Sequence, residues 1–530
     1  MKKNFLGTIF CLLIMIGSTV GCSEDKGNYD YVNINEAYVD TVGQKTSFVV
    51  GQYEVLDITP NIKFTQSDRK ETDFTYKWVI YPNSYVQANN TLIAVLSEEK
   101  NLNTVITQAP LSTDYAVVLY ITDKETGLVS QTTYIVSVQA SILSGIMVLH
   151  GNNQEYDLDY IATPNTVPVL DANRWLKNVY SEVEGAKIKG AHPFVSTVRK
   201  NNTVVDYVYA GTDGMFVQLG GKDFKKQYEG NDLFKTAPSK IFPQAFVSEN
   251  RIDCYFNVLI NNNKIHNINN RISPAWDFTF SYMLEPENTV NGGLNIAPYI
   301  YMNDIGNYSS YTGAIVYDNN SRKFLYIPVT TEEESKLKNF VAQTTSLDIN
   351  NIGKELLYMG KGYNGEAFAI FTDGASRELY KINFNISGAN LSDKIQAKRY
   401  VLDNQPEALS AKFYACGRNG NVFLYASNKN IYVYEYIGSE VAVKINNDFP
   451  AGEEITRIHL YNPEGMPALN DVTGTILYVA TWNGTEGKIY EFAINRTSGR
   501  LENNKEPLNV FTGFDRIEDI ATKVQGIGSL

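Results

Sequence analysis

Cysteine and histidine are scarce in this chain of 530 residues, at four each. Cys11 lies in the apolar amino-terminal stretch and Cys22 just beyond it, so Cys254 and Cys416 are the only thiols left to the folded body. Two thiols cannot build the multi-bridge framework of a small secreted scaffold. Both sit in strand-like stretches, where a free cysteine packs as a small hydrophobe; a mutual disulfide is the alternative. His150, His192, His266 and His459 include no pair at the i, i+4 spacing that sets two imidazoles on one metal, so no metal site is expected. His150, after the apolar Ile146-Met147-Val148-Leu149, reads as a structural strand-end residue. Basic charge is lacking as well. The formal charge is −12 and no stripe of Lys or Arg appears, which excludes nucleic acid, or an anionic membrane bound by charge, as partner. No G-x-S-x-G, H-E-x-x-H or glycine-rich phosphate loop occurs, so no catalytic residue and no cofactor is assigned.

What is present is globular: 43% hydrophobic, 20% charged and 12% aromatic residues, with 36 tyrosines. The amino terminus reads as an address. Lys2 and Lys3 precede an apolar stretch over 5–16 and the small-residue run Gly17-Ser18-Thr19-Val20-Gly21, the build of an export signal over 1–21. As a membrane span the stretch is short against the ~20 residues a bilayer requires. Thr19-Val20-Gly21-Cys22 resembles the lipobox of bacterial lipoproteins, with Thr19 in place of the usual Leu. That resemblance implies acylation of Cys22 and attachment to the membrane through the lipid alone, since two or more acyl chains give stable anchoring. Ser23, Glu24 and Asp25, followed by Lys26, resemble the acidic signal that sends such lipoproteins to the outer face of the outer membrane; an ordinary charged linker is the other reading.

Residues 22–35 are polar and read as a tether. Over 36–140, short runs rich in β-branched and aromatic residues predict strands at 48–50, 53–58, 74–80, 91–96, 115–122 and 132–138, the pattern of an immunoglobulin-like β-sandwich with Trp78 as core aromatic. From 141 to 530 the rhythm changes. Strand pairs joined by Asn, Asp and Gly turns recur at 145–162, 204–219, 254–268, 313–327, 355–384, 421–437 and 475–494. Such repetition suits an all-β chain ending in a β-propeller of about seven blades, with two further sandwiches as the competing arrangement. Thr331-Glu332-Glu333-Glu334, followed by residues 335–340, has the form of a capped helix, expected as a solvated insertion.

Cys22, the string Asp25-Lys26-Gly27-Asn28-Tyr29-Asp30-Tyr31, Asn35-Glu36, Tyr76-Lys77-Trp78, and Ser144-Gly145-Ile146-Met147-Val148-Leu149 together resemble a PKD-like family of Bacteroidota surface lipoproteins. The resemblance implies a place beside starch-utilisation-type (SusC/SusD-like) importers, in which a TonB-dependent barrel carries a lipoprotein lid. It further implies an accessory role in capturing a peptide or a glycan.

On this reading the protein is a binding or scaffold subunit, and Trp276 and Trp482 are candidates for stacking on a ligand, although propeller tryptophans also fill space between blades. A glycan-active enzyme, either hydrolase or lyase, is the alternative. Asp157, Asp159, Asp213, Asp318 and Asp373 supply carboxylates for it, but most are expected in or beside turns, where Asp bonds its own backbone. A free-standing adhesin shares the first reading's features. A calcium ion at Asp318-Asn319-Asn320 lacks the remaining ligands of a loop site, so a plain hairpin turn is expected there.

Overall fold

Runs such as Tyr115–Asp123 and Ala367–Thr372, rich in β-branched and aromatic residues and bounded by turn formers, fold as strands almost throughout. The computed structural model describes residues 36–524 apart from 53, 67–68, 84–92, 109–110, 112, 140–143, 169, 171, 201–204, 249–255, 270–278, 282, 289, 291, 303–312, 329–335, 346, 385–392 and 464–468. The chain is all-β and divides into two compact units, Met1–Ala140 and Ser141–Leu530.

In the amino-terminal unit a five-stranded sheet runs in the order Ser47–Gly51, Val129–Gln139, Tyr115–Asp123, Phe74–Pro82, Ala94–Ser97, with only the first pair parallel. Two short pairs, Ala37–Val39 with Ile62–Phe64 and Val55–Ile58 with Leu102–Val105, complete it. One core joins all three sheets, with Leu56, Ile58 and Leu102 meeting Ile80, Val117 and Val136. Trp78 lies at its centre, fully buried; its indole N–H donates to the carbonyl of Glu99 at 3.0 Å and its ring packs on Tyr134. The indole therefore buries its large apolar area without orphaning its one donor.

The carboxy-terminal unit holds seven successive sheets among the described residues, almost all antiparallel neighbours in sequence. The second to seventh begin with strands Phe194–Lys200, Pro243–Ser248, Tyr301–Met302, Glu355–Lys361, Phe413–Cys416 and Glu454–Leu460. The first sheet takes its first strand from the far end of the chain: Ile517–Lys523 pairs with Gly145–Asn152, followed by Glu155–Ala162 and Arg174–Leu176. Successive residues in a strand point to opposite faces, and here each face is buried against a different sheet. Val208 packs towards the first sheet with Leu149 and Leu158, whereas Tyr209 packs towards the third with Phe246 and Leu259. Similar cores join third to fourth, fourth to fifth, fifth to sixth and sixth to seventh. Tyr478 and Ile489 of the seventh sheet then meet Ile146 and Val148 of the first. This cyclic sequence of shared cores is propeller-like.

The turns follow their sequence chemistry. Asn153-Gln154 and Asn262-Asn263 connect hairpins with both residues at positive φ, the geometry whose twist matches the flanking strands and which asparagine tolerates. Two expectations need correction. Residues 331–335 of the predicted helix lie outside the described residues, but its second half is not helical. Lys338–Asn339 forms the fourth strand of the fourth sheet against Lys323–Ile327, with Leu337 and Phe340 buried in the cores on either side. Inter-sheet burial of these two apolar residues overrides the local helical preference. Asp157 and Asp159 are not turn residues either; both are buried within strand Glu155–Ala162. A short helix, Val179–Glu184, ends on Gly185 at φ 71° and was not foreseen.

Candidate functional site

First strands of neighbouring sheets converge around a cavity of about 320 Å³. It is supplied by strands Glu355–Lys361, Phe413–Cys416, Glu454–Leu460 and Ile517–Lys523, with Tyr299 from the approach to Tyr301–Met302. Alternation decides what each strand shows it. Ile458 and Leu460 belong to the core between the sixth and seventh sheets and touch the cavity from that side, while Arg457 and His459 bring it polar groups.

Asp519 is the hub of the polar wall. It accepts from Arg457 through Nε at 3.1 Å and through Nη2, from the backbone N–H of Ile520 at 3.0 Å, and from that of Val195 at 3.3 Å. The carboxylate thus ties the seventh, first and second sheets together and has both oxygens engaged. Burial works against the Arg457 charge, but Asp519 outweighs it and holds the guanidinium above its ordinary range. Arg457 is nonetheless 39% exposed, because it is surrounded by protein yet faces the open space of the cavity. His459 Nε2 lies 2.7 Å from Thr522 Oγ1, and burial pushes the imidazole down to about 4.

The other wall is aromatic. Tyr358 packs edge-on against Tyr299 at 5.6 Å between ring centroids and lies against Tyr414 at 5.4 Å. Gly360 makes this possible: a Cβ there would sit 2.3 Å from the Tyr358 hydroxyl oxygen. That hydroxyl reaches Cys416 Sγ at 3.6 Å; burial raises the Tyr358 phenol well above its usual range and pushes the Cys416 thiol up to about 12, so both stay protonated. Cys416 is free and buried.

The residues singled out from sequence fall elsewhere. Cys22, Ser23, Glu24, Asp25, Cys254 and Trp276 lie outside the described residues. Trp482, half-buried, ends strand Ile476–Trp482 and does not line the cavity. Asp159 accepts from His150 Nε2 at 3.0 Å, the Trp175 indole at 2.6 Å and the Asn178 N–H at 2.7 Å, while Asp157 accepts from the Ser181 N–H at 3.1 Å. These contacts bind the first sheet to the segment that follows it. Asp213 pairs with Lys240 at 2.7 Å, Asp318 accepts from the N–H groups of Asn295 and Ser321, and Asp373 is held down to about 2 by bonds from Ala375 and Ser376. The five carboxylates converge on no common point of the cavity lining. Among the described residues, no cluster of three or more His, Cys, Asp or Glu could hold a metal ion, and no helix is long and apolar enough to cross a membrane.

Sequence reasoning missed the cavity residues because each is an isolated Tyr, Arg or His in an otherwise apolar strand. Only their position on first strands brings them together.

A model of a PKD-like family matches residues 22–192, which cover most of the amino-terminal unit and run into the first sheet of the second. No curated protein matches. Among solved structures, the chain is similar to the β-propeller domain of Cps50 (Swd1) from Myceliophteria thermophila at 10% identity, covering 61% of this chain and 87% of that one with a TM-score of 0.35. It is also similar to the Dos1 propeller at 10% identity, covering 75% and 81% with a TM-score of 0.37. A third structure is PorZ of Porphyromonas gingivalis, a surface component of a type-IX secretion system, at 8% identity, covering 84% and 63% with a TM-score of 0.39.

Proposed function

We propose that the protein is a lipoprotein anchored through Cys22 to the outer membrane and facing the cell exterior, where it serves as an accessory binding subunit of a TonB-dependent importer of peptides or glycans. Its carboxy-terminal unit is, on this reading, a closed propeller of seven blades with the cavity at its axis. The observation that supports a binding role is the cavity itself, which joins a tyrosine wall to a few fixed polar groups, the usual composition of a ligand site. Among the described residues its lining holds one carboxylate, Asp519, already bonded to Arg457 and two backbone amides, whereas glycoside hydrolysis ordinarily uses a pair. The amino-terminal signal supports the address and the PKD-like likeness the family context.

The test is affinity purification of a carboxy-terminally tagged chain from outer membranes in mild detergent, with mass spectrometry of what accompanies it. A TonB-dependent barrel and its lid lipoprotein are expected. Recovery of the chain alone would remove the importer from the reading. In the same cells Cys22→Ala should release the protein from membranes.

A further inference from the structure

The chain is acidic, with a formal charge of −12, yet the described residues lining the cavity include the cationic side chains of Lys361, Lys412, Arg418 and Arg457 and one carboxylate, Asp519. The oxygens of Asp519 are taken by Arg457 and by the amides of Ile520 and Val195. Among the described residues Arg457 makes no hydrogen bond beyond those to Asp519, so its remaining N–H groups are left to the cavity. Lys412 is exposed and has no carboxylate within ion-pair distance among the described residues. Asn462 Oδ1, also at the cavity, is buried without a hydrogen-bond partner and can accept from an O–H or N–H. A concave site with one sign of charge and low-dielectric walls concentrates the opposite ion, and a guanidinium favours planar carboxylates.

We propose that this cavity binds a small ligand bearing a carboxylate together with a hydroxyl or amine donor, the carboxylate set among Arg457 and its neighbouring cations and the body of the molecule against Tyr299, Tyr358 and Tyr414. This rests on the binding role proposed above and names the ligand's chemistry. Two sources share it: the free carboxy terminus of a peptide and an acidic sugar. About 320 Å³ lies at the small end of ligand sites, which suits one or two residues of either.

The experiment is calorimetric titration of the full chain in mild detergent with four probes: dialanine, its carboxy-terminal amide, digalacturonate and its methyl ester. At least one acid should bind about tenfold more tightly than its neutral counterpart and weaken as sodium chloride is raised. The acid that binds identifies the source. Arg457→Gln should lower that affinity about tenfold; because this change also strips Asp519 of its partner, Lys412→Gln, at an exposed position, serves as the second variant and should lower it about threefold. Acids that bind no better than the amide and ester, or the failure of all four probes, would overturn the inference. Binding of the neutral probes alone would leave the binding role standing, and acid binding without a co-purified importer would remove only the importer.

Discussion

His459 is kept neutral at the cavity wall chiefly by burial, while the nearby Asp519 pulls its pKa up and Arg457 pushes it back down. With the folded value at about 4 and an unfolded value near 6.5, the unfolded chain binds more protons than the native one between those limits. Stability from this residue is therefore fully present above pH 6.5 and is lost as pH falls towards 4. His459 is only half-buried, so solvent screening reduces the size of the effect, and a loss of about 2 kcal/mol between pH 7 and 4.5 is expected. His459→Gln should flatten that part of the profile in urea unfolding; an unchanged slope would assign the pH dependence to other groups. The same cavity makes Cys416 a poor nucleophile, since a thiol pushed up to about 12 offers almost no thiolate at neutral pH.

Strand Ile517–Lys523 carries more than its length suggests. It completes the first sheet by pairing with Gly145–Asn152, supplies Asp519 to the cavity, and inserts Lys523 beside Asp206, where both side chains of the ion pair are buried. Burial pushes the Lys523 ammonium down, and the Asp206 carboxylate works against that shift. Removing one partner of such a pair strands the other, at a cost of about 3–5 kcal/mol. Lys523→Met should therefore lower the unfolding midpoint of the carboxy-terminal unit strongly, and adding Asp206→Asn should restore a large part of the loss; additive losses would show that the two residues are not coupled. Ending the chain after Arg516 should go further and abolish the cooperative transition of that unit, because it opens a long sheet edge as well.

The role of this strand was hard to read in sequence, and the reason is physical. Six of the seven sequence pairs correspond to the second and third strands of a sheet, such as 475–494 with Ile476–Trp482 and Gly487–Ala493, and 355–384 takes in the first strand, Glu355–Lys361, as well. Those middle strands are buried on both faces and read as apolar runs. First strands carry Arg457, His459 or Tyr358 towards the cavity, and fourth strands such as Gln396–Val401 are largely exposed, so both lose the apolar signature. The pairing of Ile517–Lys523 with Gly145–Asn152 is a long-range contact that no local pattern encodes.

At the scale of the whole molecule, each unit has a core of its own. Trp78, Tyr134 and Val136 belong to one that draws only on the amino-terminal unit, while the cores of the seven sheets draw only on residues beyond 141. Domains with separate cores unfold as separate cooperative units unless a large apolar interface couples them. Trp78→Ala removes the largest buried side chain of the first core, which costs about 3–5 kcal/mol. In scanning calorimetry the substitution should lower one transition and leave a second unmoved, and limited proteolysis of the variant should then cut near residue 140 and spare a fragment from 141 onward. A single transition shifting as a whole would mean that the units unfold together.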